Sequence, residues 1–127
     1  MTAPATWFRF RDKSGKTWEV QISTHEDSPI LKGEYGTLGY DGITISDERS
    51  IIIDAAATRN VQDYIILHEL MHAVLDGVNG IDGKAEEKVI TEIAPRLYPV
   101  LQKFGLRWPE RPAVFKTIER KARRTSK

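Results

Sequence analysis

A chain of 127 residues, 40% of them apolar and with a formal net charge of +1, is long enough to bury the core of one domain. It contains no cysteine, which excludes disulfides and thiolate metal sites and leaves histidine and carboxylate to hold any metal. The N-terminal Met1-Thr-Ala-Pro-Ala-Thr6 has neither a basic nor an apolar stretch, and no run approaches the length of a membrane span, so a soluble, cytoplasmic protein is expected.

The small net charge hides an asymmetry. Lys116, Arg120, Lys121, Arg123, Arg124 and Lys127 against Glu119 give residues 116–127 a net of +5, so residues 1–115 carry −4.

Trp7-Phe-Arg-Phe-Arg11 and Thr17-Trp-Glu-Val-Gln-Ile22 alternate apolar and polar residues on either side of Asp12-Lys-Ser-Gly-Lys16. That pattern predicts a β-hairpin with one wet face. Residues 23–34 read as a connection, in which His25 is more a solvated loop residue than a ligand. Tyr35-Gly-Thr-Leu-Gly-Tyr-Asp-Gly42 is turn-rich, Gly42-Ile-Thr-Ile-Ser46 predicts a third strand, and Ser50-Ile-Ile-Ile-Asp54 a fourth, expected at a sheet edge where an extended peptide could add.

A helix is predicted from Val61 to Leu75, with Thr58 or Asn60 as its N-cap and Gly77-Val-Asn-Gly80 as its stop. A second helix is predicted over about Lys84 to Phe104, with Val89, Ile90, Ile93, Leu97, Val100, Leu101 and Phe104 at helical spacing. Pro95 and Pro99 should kink or break it. Leu106–Pro112 reads as a linker, and Ala113 to Lys127 as a helix at its start, with Val114, Phe115 and Ile118 packing back, that frays into a basic tail.

The chemistry lies in His68-Glu69-Leu70-Met71-His72, which uses two of the three histidines. Residues four apart on a helix lie about 40° apart, so His68 and His72 can aim their rings at one point. Two neutral imidazoles and a third ligand suit a catalytic zinc with one position open. Glu69, about 100° round the helix, can reach a water at that position as general base. Asp76, one turn after His72, could accept a bond from its ring.

Leu75 and Val78 exclude the longer peptidase pattern with Gly and His at those places, so the third ligand must be a carboxylate. Glu86 lies on the axis of the predicted apolar stripe 86, 89, 90, 93 and 97, where an inward carboxylate needs a partner. Glu86 is therefore preferred; Glu87, about 100° away, and Glu92, on the wet side, remain open. Tyr98, twelve residues after Glu86, reads as a packed or surface tyrosine rather than a group that reaches the oxyanion.

His68-Glu-Leu-Met-His-Ala-Val-Leu75, a short Gly-rich loop, Glu86-Glu-Lys-Val89 and Ala94-Pro95 resemble the small phage-associated zinc metallopeptidases of the ImmA/IrrE-like kind, over roughly residues 43–104. The resemblance implies an α+β, minimal zincin-like domain: a small antiparallel sheet of three to four strands packed on the motif helix and a glutamate-bearing helix. It implies Zn²⁺ held by His68, His72 and Glu86, with Glu69 catalytic, acting on a protein or peptide such as a repressor. Residues 1–112 would form that domain and 113–127 the basic tail. Val89-Ile90 stands where the family has Ala-Asn, and the hairpin replaces the family's first helix. The rival expectation is a metal-containing binding module that meets a protein or nucleic acid through the tail. A purely structural zinc would have no use for Glu69.

Overall fold

The computed structural model describes residues 4–32, 41–76, 78, 80 and 82–125. Four strands form one sheet: β1 (Ala5–Arg11), β2 (Thr17–Ser23), β3 (Gly42–Ile45) and β4 (Ser50–Asp54). Among the described residues there are also four α-helices, α1 (Pro29–Lys32), α2 (Arg59–Leu75), α3 (Gly83–Lys103) and α4 (Val114–Thr125), and a 3-10 turn at Ser46–Glu48. The fold is α+β. The turn-rich stretch expected before Gly42 lies largely outside the described residues.

The β1–β2 hairpin closes on Asp12. Its Oδ1 accepts from the Ser14 and Lys16 amides and from the Ser14 hydroxyl, and its Oδ2 accepts from Trp18 Nε1. Those bonds to Ser14 and Trp18 hold the Asp12 carboxyl well below the usual carboxylate range. Gly15 supplies the left-handed residue of the turn, at φ 84°.

The sheet corrects two expectations. Its order is β1-β2-β4-β3, and it is mixed rather than antiparallel, because β2 and β4 run parallel with Val20 opposite Ile51. β4 is therefore internal, buried at every residue, and the edges are β1 and β3. A run of three isoleucines suits a strand covered on both faces better than an edge.

The core gathers Trp7, Trp18, Val20, Ile22, Ile51, Ile53 and Ile66 from the sheet and α2. It also takes Phe115, Ile118 and Ala122 from α4. Phe115 and Ile118 pack back as expected, joined by Ala122 three and four residues apart, while Val114 is exposed; the helix, expected to fray, continues through Thr125. Residues 126–127 lie outside the described ones. Nor is the preceding linker loose. Trp7 Nε1 donates to the Pro109 carbonyl (2.7 Å), Trp108 Nε1 donates to the Asp63 carbonyl (2.9 Å), and Arg111 pairs with Asp63 (2.8 Å) beneath Trp7.

α3 runs unbroken through Pro95 and Pro99. Each proline leaves one carbonyl four residues back without its donor, those of Thr91 and Pro95. Both positions are exposed, so water can bond them. No helix among the described residues is long and apolar enough to cross a membrane.

Candidate metal centre

Thr58 caps α2 by accepting from the Val61 amide, and the helix carries the motif in its second half. His68 and His72 come out on one face, their ring centroids 5.2 Å apart. Asp82 caps α3 through the Ala85 amide and brings Glu86 and Glu87 into its first turns, opposite the two histidines.

Glu87 bridges the pair. Its Oε1 lies 3.3 Å from His68 Nε2 and its Oε2 lies 2.7 Å from His72 Nε2. One ligand atom from each of His68, His72 and Glu87 can be chosen so that all lie within 4.8 Å of one another. Glu86 does something else: its Oε1 meets His72 Nδ1 at 2.5 Å, on the far side of that ring.

The reason the two glutamates differ from expectation is the rotation of α3. Val89 and Ile93 are 44% and 43% exposed, while Ile90 and Ala94 are fully buried. The buried stripe is therefore centred on 90, 94, 97 and 101, about 50° round from the one read off the sequence. Glu86 and Glu87 straddle it, one on each side. Asp76 is exposed at the C-cap of α2, and the ring bond anticipated for it is made by Glu86. Glu92 is exposed, and Tyr98 packs edge-on against Tyr64 (5.9 Å) and does not line the cavity that holds the histidines. His25 sits 3.3 Å from Asp54 Oδ2, in a separate cluster.

Glu69 is 6% exposed and wedged between α2 and the edge strand. Thr44 Oγ1, from β3, lies 2.9 Å from Glu69 Oε1, which leaves Oε2 turned toward His68 Nε2 at 3.9 Å. Burial raises the Glu69 carboxyl pKa; the Thr44 bond and both histidines oppose that rise, and Glu87 adds to it. Burial lowers the His72 pKa, but Glu86, Glu69 and Glu87 outweigh it and the net shift is upward. Gly42 makes the close approach possible: a Cβ there would stand 2.6 Å from Ile65 Cγ2 and 3.3 Å from Glu69 Cγ. Neither Thr44 nor Gly42 carries a local sequence signal; their role arises where β3 meets α2.

All these groups line one cavity of about 650 Å³, bounded by Asp41–Thr44 and Ser46 on the sheet side and by Ile65, His68, Glu69, His72, Glu86 and Glu87 on the helix side. The donor set of two imidazole nitrogens and a carboxylate oxygen fits a divalent zinc ion. A ring whose second nitrogen meets a carboxylate, as His72 meets Glu86, is the usual support for such a ligand. No family model, no curated protein and no solved structure matches the chain.

Proposed function

We propose that this chain is a zinc-dependent peptidase, with His68, His72 and Glu87 as the metal ligands, Glu86 as the group that orients His72, and Glu69 as the general base. The observation that carries this reading is the convergence of the three ligand side chains within 4.8 Å, beside a buried carboxylate in the same cavity. The likeness of the motif stretch to ImmA/IrrE-like peptidases supports it and points to a protein substrate.

When bound, zinc would supply a Lewis acid for the scissile carbonyl and an acidified water. The chain's own residues do the rest. Glu69 takes the water's proton on Oε2, the oxygen not engaged by Thr44, and delivers it to the leaving amine. β3 lies at the sheet edge along the cavity and offers backbone groups to an extended peptide.

A site that only braced α2 against α3 would have no need of Glu69. The test is metal analysis of purified protein together with cleavage of a mixed peptide library by the wild type and Glu69→Gln. The expected result is one zinc per chain in both proteins and cleavage by the wild type alone. Cleavage retained in the variant removes Glu69 from the mechanism; metal without cleavage in either favours the structural site.

A further inference from the structure

The basic charge at the C-terminal end is organised by a feature independent of the metal cavity. Arg59, at the start of α2, and Lys116, Arg120 and Arg123, on α4, line a cleft of about 450 Å³ around Glu119. The two cavities share no residue.

Glu119 is 3% exposed and acts as the cleft's floor. It accepts from Arg59 at 3.0 Å and from Gln62 at 3.4 Å, and Arg123 stands 3.9 Å away. One buried carboxylate thus anchors Arg59 and stands within ion-pair reach of Arg123, and these two side chains are 50% and 57% exposed. Among the described residues, no carboxylate pairs with Lys116 or Arg120. The cleft carries four cations against one anion.

Lys116, Arg120 and Arg123 follow one another at four and three residues, within an arc of about 60° and over about 10 Å of helix. We infer that this cleft is a binding site for the phosphodiester backbone of a nucleic acid. An array of that length spans about three nucleotide steps, at about 3.4 Å per step along a duplex strand. A membrane surface is a poorer fit. The apolar side of α4, Phe115, Ile118 and Ala122, is buried in this protein's own core and cannot insert among lipids.

Binding of a fluorescent 20-nucleotide DNA, single-stranded and duplex, is measured by anisotropy on the full chain from 50 to 300 mM salt. Wild type and Lys116→Gln/Arg120→Gln are compared; both substituted residues are exposed, and equal melting temperatures establish equal folding. The expected result is binding whose logarithm falls linearly with log salt, with a slope shallower by about 1.8 on duplex in the double variant, or about 1.4 on single strand. No binding at 50 mM salt, or an unchanged slope in the variant, overturns the inference. So does equal competition by inorganic phosphate at matched phosphate concentration, which would mark a single-anion site, or retention on anionic vesicles without retention on DNA.

Discussion

Thr44 Oγ1 stands 2.9 Å from Glu69 Oε1 and 3.0 Å from the Glu69 carbonyl oxygen, so a single hydroxyl from the edge strand lies within reach of two acceptors on one residue of the motif helix. A hydroxyl has one proton to give, and the buried carboxylate is the stronger acceptor. Thr44→Val should leave that oxygen without its donor, at a cost of about 1.5–3 kcal/mol to the ionised form. Peptidase turnover should fall about tenfold or more, with zinc content unchanged and Thr44→Ser restoring most of the rate. Loss of zinc in Thr44→Val would show that the hydroxyl acts on the fold of the site rather than on the base.

Glu69 should also cost the metal-free protein stability. Its folded-state pKa is raised above the ordinary 4.5, chiefly by burial. Between 4.5 and the raised value the folded chain binds more protons than the unfolded chain, so stability falls as pH rises through that window. Glu69→Gln removes the charge and keeps an oxygen for Thr44. In the presence of a chelator, the variant should melt higher than wild type at pH 7, and the difference should vanish near pH 4. An equal or lower melting temperature at pH 7 would contradict the assignment of burial as the dominant cause.

The two neighbouring glutamates separate by metal affinity. Glu87→Gln removes the carboxylate that spans both histidines and should abolish stoichiometric zinc binding. Glu86→Gln removes the support of His72 Nδ1 and should weaken zinc by about 10–100-fold while preserving the stoichiometry. Competitive titration against a chromophoric chelator reads both. The reverse order of effects would return Glu86 to the ligand position.

Gly42 tests the contact between β3 and α2. Gly42→Ala should destabilise by about 1–3 kcal/mol, since the new methyl meets Ile65 Cγ2 at 2.6 Å. Ile65→Ala removes that methyl, so the double substitution should be markedly less destabilised than the sum of the singles. Chemical denaturation of the four proteins gives the coupling; additivity would mean the strand moves away instead.

α4 belongs to the domain. Phe115 is fully buried with its ring 5.7 Å from that of Trp7, and Phe115→Ala should cost about 3–5 kcal/mol. Removing residues 113–127 should expose the sheet and abolish cooperative unfolding. A truncated chain that melts as sharply as the whole would restore the view of this segment as a tail.

What the sequence determined by itself was local. The hairpin was legible from the alternation of Trp7–Arg11 and Thr17–Ile22 around a Gly-containing turn, and the pairing observed there is antiparallel. The common face of His68 and His72 follows from helical spacing alone and needs no knowledge of what packs where. The parallel pairing of β2 with β4, the placement of β3 at the edge, and the choice of Glu87 to bridge the histidines were decided only by tertiary structure. Each depends on how one element turns against another. The apolar residues of α3 outnumber those the core can cover, so its pattern left the rotation open by about 50°, enough to change which of two adjacent carboxylates lies between the histidines. Packing of Ile90 and Ala94 closed that choice. The packing of Phe115 and Ile118 was legible from their apolar character, but only the tertiary structure put Ala122 in the core in place of Val114 and carried the helix to Thr125, because charge counts along a chain do not record which face of a helix meets the sheet.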